Sequence, residues 1–505
     1  MNGLAISSVL FLVLVEKSNA RATLNNYNER KTNLIEEETL QSLGGSLRLT
    51  EKELLVNEKL MQWKEIEVNN SFYNPQYFNY SKHYFDFKDE MKKSKVYQFI
   101  QRMPKGAVLH VHSSLMLGAN YLIELTYEDH LYACLTDDNL ELRFSHTEPQ
   151  RPCSVKWTLM SDLRNASEDI AQFDAKLKNY FTLDSDDHIG FHTDINAVWK
   201  KFNQVYFTIK SLISYRPVRE KAFYQALQNF YNDNVMYIEI RSGLSSLYEL
   251  NGTVHDKIYM ATLYDEVTKL FMKVNPDFVG IKLIMTRARA TNVDKVREAL
   301  DLSRQVKQEL PAMFAGFDLV GQEDVGRPLA EFSPVLLEAQ DEINYYFHGG
   351  ETNWYGTPVD ENLFDAVLLG TKRIGHAYAL IKHPALMTAV AEKDIALEVN
   401  VISNSVLSLV QDLRNHPLAI FLARGMPVVL SSDDPGVWGA EPLSDDFYVA
   451  FVAIASKHAD LRMLKQLAIN SIKYSALDDN GKTRLFSIFE NKWNAFIDDV
   501  IATRL

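Results

Sequence analysis

Eight short apolar runs, separated by longer stretches of helical pattern, constrain this chain more than any other feature. They fall at 107–111, 235–240, 279–285, 313–319, 343–347, 372–374, 395–401 and 427–430. Runs of this length and β-branched content, alternating with helices, are the pattern of parallel βαβ units. Eight such units predict an α/β fold, a (β/α)8 TIM barrel. Most run starts lie roughly 23 to 44 residues apart, room for one helix and two loops. The first gap, of over about 120 residues, is the exception.

That gap holds Cys134 and Cys153, the sequon at Asn165 and the acidic run Asp184-Ser185-Asp186-Asp187. It is read as an insertion over 127–188 on the barrel rim. The predicted division is therefore a signal peptide over 1–20, a helical region over 21–95 and the start of the barrel over 96–126. The insertion follows, and the rest of the barrel spans 189–505. Within the helical region, 21–30 reads as a flexible arm. Thr50 and Glu53 form a capping-box pattern ahead of Leu54, Leu55, Leu60 and Met61 at helical spacing. The apolar face of such a unit packs on its own chain or on a second copy. Near the C-terminus, Leu461, Leu464, Leu467, Ala468 and Ile472 mark an amphipathic helix on the barrel exterior.

Residues 4–15 are uncharged and too few to span a bilayer, and Ser18-Asn19-Ala20 sets small residues at a cleavage position. The alternative is a buried first helix. Secretion agrees with two cysteines, read as one disulfide, the alternative being two buried thiols. Candidate glycosylation sites on exposed loops are Asn69, Asn79, Asn165 and Asn251. A formal charge of −13 argues against a nucleic-acid partner.

Active sites of (β/α)8 proteins lie at the C-terminal strand ends. The first run ends in His110-Val111-His112, whose alternate positions project from one face of a strand. The fourth leads into Gly321-Gln322-Glu323-Asp324 and the fifth into His348, with Glu351 beyond it. The sixth leads to His376 and the eighth to Ser431-Ser432-Asp433-Asp434-Pro435. Three histidines and one aspartate make a zinc site with room for a water, and a Glu, a His and an Asp remain for proton transfer. Singly, each has a structural alternative, such as an Asp opening a helix before Pro435.

Several blocks resemble the adenosine deaminase superfamily, and within it the secreted adenosine deaminase growth factors, which include the adenosine deaminase 2 type. They are Met103-Pro104-Lys105-Gly106, the H-x-H pair, Phe317-Asp318-Leu319-Val320-Gly321, His348-Gly349-Gly350-Glu351-Thr352, Arg373-Ile374-Gly375-His376 and the Ser431–Pro435 block. The resemblance implies a zinc-dependent adenosine deaminase, with His110, His112, His348 and Asp433 as metal ligands. It implies that His376 and Asp434 orient and deprotonate the attacking water and that Glu351 protonates N1. The Gly321 N–H would meet N3 and Trp199 would wall the ribose. It also implies a homodimer through the N-terminal helices and a receptor-binding insertion, although the acidic run opposes heparin affinity there. The sequence departs from the family pattern at Ser113, where relatives place an acid that holds the ribose, and at Gly349, Ala377 and Asn400-Val401. These changes point to the alternative of a secreted growth-factor-like ligand with weak or lost turnover, or to a changed nucleoside preference. Nucleotide deamination would need basic residues around the phosphate, and the strand-end loops supply none.

Overall fold

The computed structural model describes residues 23–74, 78–184 and 194–503. The predicted signal peptide and residues 185–188 of the insertion lie outside the described residues. Eight parallel strands carry the fold. They are β1 (Gly106–His112), β2 (Val235–Ser242), β3 (Gly280–Ala288), β4 (Phe314–Val320), β5 (His348–Gly349), β6 (Arg373–His376), β7 (Ala396–Val399) and β8 (Val428–Leu430). Apart from Lys282 in β3 and short segments near their C-terminal ends they are buried. That explains why they read as apolar runs rather than as alternating ones.

Pairing follows chain order, but the expected barrel is not one closed sheet. There are two four-stranded parallel sheets, β1-β2-β3-β4 and β5-β6-β7-β8. Single parallel bridges join them, Phe317 to Tyr345 at one seam and Val111 to Asp433 at the other. The physical reason is strand length. The 343–347 run makes only the Tyr345 bridge, with regular pairing displaced to His348–Gly349, and β8 has three residues. The seventh run is also shorter than expected. It ends at Val399, and Val401–Val406 is helical.

Inside the strands lies a fully buried ionic network of Glu239, Arg241, Asp318, Arg373 and Glu398. Arg241 bonds Asp318 at 2.8 Å and Glu398 at 2.7 Å, and Arg373 bonds Glu398 and Glu239 at 2.5 Å each. Buried charges are tolerable only when their lone pairs and protons are this fully matched. The network fixes the strands beneath the site.

The helical region contains α1 (Leu24–Gln41), α2 (Glu51–Tyr73), α3 (Tyr84–Met91) and α4 (Lys95–Arg102). The flexible arm is thus corrected: from Leu24 the chain is helical, because Thr23 caps the first turn and no Gly or Pro interrupts it. The capping box at Thr50 and Glu53 forms. Glu53 is itself buried, and it accepts bonds from Lys465 and Trp493 at 2.7 Å each, tying α2 to the two C-terminal helices. The amphipathic helix expected near the C-terminus spans Leu461–Lys473. The described part of the insertion holds a three-stranded antiparallel sheet and the helices Met160–Asn165 and Ile170–Lys178. Cys134 and Cys153 are joined in a disulfide. Of the sequons, Asn165 and Asn251 are exposed. Asn69 and Asn79 are half-buried on helical turns, which corrects the expectation of four exposed loops.

Candidate metal centre and active site

The seam between β8 and β1 builds the centre. Asp433 N–H donates to His110 O at 3.0 Å and His112 N–H to Asp433 O at 2.9 Å, so the backbone pairing sets Asp433 between the two histidines. His110 Nε2 and His112 Nε2 then lie 3.3 and 3.2 Å from Asp433 Oδ1. His348 enters from β5, its ring centroid 4.6 Å from that of His110. One ligand atom from each of His110, His112, His348 and Asp433 falls within 4.8 Å of the others. Gly375 on β6 makes room, since a Cβ there would come within 3.0 Å of the His110 ring.

The far side of each ligand is held. His110 Nδ1 lies 2.8 Å from Glu398, and His348 Nδ1 lies 2.6 Å from Asp318. Ser403 donates to Asp433 Oδ2 at 2.7 Å. Carboxylates behind two imidazoles leave both Nε2 atoms facing inward with lone pairs. Burial lowers the pKa of His112 and pushes His348 down to about 3, against the opposing pull of nearby carboxylates, so both rings are neutral. Burial alone would raise Asp433, but the facing histidines hold it well below the usual carboxylate range. His110 Nε2 and Asp433 Oδ1 are buried without a hydrogen-bond partner. Unmatched buried donors of this chemistry fit a divalent ion such as zinc.

Glu351, His376 and Asp434 stand beside this set. Glu351 is buried, 3.7 Å from His376, and its backbone N–H is held by Glu323, which pairs with Arg289 at 2.9 Å. Burial, and then the charges of Asp433 and Glu323, raise Glu351 well above the carboxylate range, which favours its protonated form. Burial and Asp433 likewise raise Asp434. Burial pushes His376 well below the usual imidazole range. A hydrogen-bond chain fixes its tautomer. Leu418 N–H donates to His416 Nδ1, so His416 Nε2 donates to Asn404 Oδ1 at 3.0 Å. Asn404 Nδ2 then donates to His376 Nδ1 at 3.2 Å. The proton of neutral His376 therefore sits on Nε2.

His376 and Asp433 both have left-handed backbones, φ 62° and 59°, as does Ala377 at 51°. Non-glycine residues held there store strain of the kind found at working sites. Asn400 is buried with neither amide atom bonded. At Gly349 a Cβ would meet Ile374 at 3.5 Å, an ordinary contact, so an alanine would fit there.

A cavity of about 380 Å³ opens from these strand ends. Trp199 lines it, T-shaped against Phe202, as do Ser113 and Gly321. Gly321 has φ +96° and open space where a Cβ would stand. Of the residues singled out in the sequence for metal, proton transfer and substrate, all but the fully buried His110 line this cavity, and His110 joins them through the metal-ligand cluster. Reasoning from the strand ends missed the residues that hold them: Asp318, Glu398, Arg241, Asn404 and His416. The available signal was a charge inside a buried parallel strand, as in Ala396-Leu397-Glu398-Val399.

Three imidazoles and a carboxylate at the C-terminal ends of parallel strands are the ligand set of a mononuclear metal-dependent hydrolase. Residues 171–492 match the family described as "Adenosine deaminase", and residues 7–100 match "Adenosine/AMP deaminase N-terminal". The chain is 41% identical to adenosine deaminase 2 of Homo sapiens, over 98% of each chain. It is also 41% identical to an adenosine deaminase of Lutzomyia longipalpis, over 94% of this chain and 93% of that one. Among solved structures, an amidohydrolase from Burkholderia ambifaria with bound zinc superposes with TM-score 0.56 at 18% identity, over 81% of this chain and 95% of that one. The chain belongs to the adenosine deaminase family.

Proposed function

We propose that this chain is a zinc-dependent deaminase that converts adenosine, or 2′-deoxyadenosine, to inosine and ammonia. The observation that carries the reading is the convergence of His110, His112, His348 and Asp433 beside the buried carboxyl of Glu351. Zinc suits this ligand set, and when bound it supplies a water acidified to near neutrality. Glu351 gives its proton to N1, which makes C6 electrophilic. His376, protonated on Nε2, donates a hydrogen bond that orients the attacking oxygen, and Asp434 takes the water proton. The new C6–O bond forms, N6 takes that proton from Asp434, the C6–N6 bond breaks to release ammonia, and the proton left on the C6 hydroxyl is lost to the enzyme, giving the 6-oxo group of inosine and restoring the Glu351 acid. The open position at Gly321 lets its N–H reach N3, and Trp199 walls the sugar.

We further infer that the two sheets act as one (β/α)8 barrel, since strand order is consecutive and both seams are bridged. A homodimer is favoured by α1, which buries no side chain of its own and exposes Leu24, Tyr27, Leu34, Ile35 and Leu40. Secretion is favoured by the disulfide and by the exposed sequons Asn165 and Asn251. Among the described residues no helix is long and apolar enough to cross a membrane. The insertion remains our assignment for a receptor contact.

The test is ammonia release from adenosine by zinc-loaded protein, with Glu351→Gln as control. Turnover that the substitution abolishes is the expected result. No turnover at millimolar adenosine with zinc bound refutes the adenosine reading and favours the growth-factor-like ligand or another nucleoside.

A further inference from the structure

The helix Val401–Val406 carries two side chains that hold the site. Ser403 donates to Asp433 Oδ2 at 2.7 Å, and Asn404 Nδ2 donates to His376 Nδ1 at 3.2 Å. One buried helix of six residues thus fixes both a metal ligand and a proton-transfer group. A helix this short has little stability of its own, and its first N–H groups need acceptors. Its N-cap residue supplies none. Asn400 makes no capping bond, and neither of its amide atoms is bonded. The acceptor comes from further along the chain: Asp446 Oδ1 takes the Ile402 N–H at 3.1 Å, across 44 positions. Ile402 directly precedes Ser403 and Asn404, so this bond anchors the backbone from which both holders reach the site.

Asp446 is fully buried in the helix Ser444–Tyr448. Its neighbour Asp445 makes a different set of contacts. It accepts from Tyr84 of α3 at 2.5 Å, from Tyr97 of α4 at 2.6 Å and from the Glu441 N–H at 3.2 Å. Two adjacent carboxyls therefore divide the work: Asp445 ties the segment to the N-terminal helices, and Asp446 reaches the helix behind the site. Burial, and then the charges of Asp445 and Asp433, raise Asp446 well above the carboxylate range, against the pull of the Ile402 N–H. A neutral carboxyl accepts through its carbonyl oxygen, as an amide does. We propose that Asp446 is a positioning residue for the reaction: by capping the helix Val401–Val406 it keeps Ser403 on Asp433 and Asn404 on His376. This rests on the deaminase reading for what Asp433 and His376 do, though not for the geometry that Asp446 fixes.

Three variants test it. Asp446→Leu is close in shape and removes the acceptor, whereas Asp446→Asn keeps it. Tyr84→Phe loosens the same segment on the Asp445 side and leaves the cap alone. The readouts are kcat and KM for adenosine, zinc affinity by chelator competition, and the visible absorption of cobalt(II)-loaded protein, which reports the ligand geometry around Asp433. Asp446→Leu is expected to lower kcat and zinc affinity about tenfold each and to shift the cobalt bands. KM should stay within about twofold of native, because no residue of this helix lines the cavity. Asp446→Asn should recover most of kcat and the native cobalt bands. Tyr84→Phe should lower Tm yet leave kcat and the bands native. If Asp446→Leu does not fold, Asp446→Ala, which adds no bulk, is read in the same ways. Native kcat, zinc affinity and cobalt bands in the folded variant without the acceptor overturn the proposal. So does an Asp446→Asn protein as impaired as that variant, or a Tyr84→Phe protein with the same losses, which would make the defect one of stability alone. If the native protein turns over no adenosine, the deaminase reading falls, and zinc affinity and the cobalt bands still decide the role of Asp446.

Discussion

Glu398 is buried and does two jobs: it orients His110 through Nδ1 at 2.8 Å and neutralises Arg241 and Arg373. Glu239 shares only the second, bonding Arg373 at 2.5 Å and no histidine. Comparing Glu398→Gln with Glu239→Gln therefore separates ligand positioning from charge balance. Removing one partner of a buried pair costs about 3–5 kcal/mol. With an unfolding entropy of about 2.1 cal/mol/K per residue over 505 residues, close to 1 kcal/mol/K, each substitution should lower Tm by about 3–5 °C. Only Glu398→Gln frees the His110 ring to turn, and loss of such a partner weakens metal binding about 10–100-fold. Zinc competition against a colorimetric chelator gives the affinity, and scanning fluorimetry gives Tm. Equal zinc affinities for the two variants, despite similar losses in Tm, would refute positioning by Glu398.

Three further outcomes are expected. Ala377→Gly relieves a left-handed alanine worth about 1–2 kcal/mol, offset by glycine's looser unfolded chain, so stability in urea should rise by about 0.5–1 kcal/mol; a fall would place the strain elsewhere. His416→Phe breaks the chain that orients His376, and about 1.4 kcal/mol of lost positioning should lower kcat about tenfold. KM and bound zinc should not move, and His416→Gln, which can still donate to Asn404, should recover part of the loss. Lys64 is buried over the Phe451 ring and donates to Ser456 O and Ala459 O, and burial lowers its pKa to about 7. Between about pH 7 and 10 the unfolded chain holds a proton there that the folded one lacks, so this lysine's contribution to stability rises with pH. The stability of the native protein relative to Lys64→Met should therefore increase by about 2–3 kcal/mol from pH 7 to 9, and a flat difference would mean the lysine stays charged when folded.

The strands and the residues that project from their ends were legible in the sequence because both obey local rules. Apolar runs announce buried parallel strands, and histidines at their termini announce a rim. What stayed hidden depends on contacts far apart along the chain. Glu398 reaches His110 across 288 positions, and Arg373 reaches Glu239 across 134, distances no periodicity encodes. The open seams were hidden for a related reason, since pairing length is set by how the whole sheet twists and not by one run. The flexible arm was misread because a polar segment with an N-cap and no Gly or Pro can be helical without an apolar face.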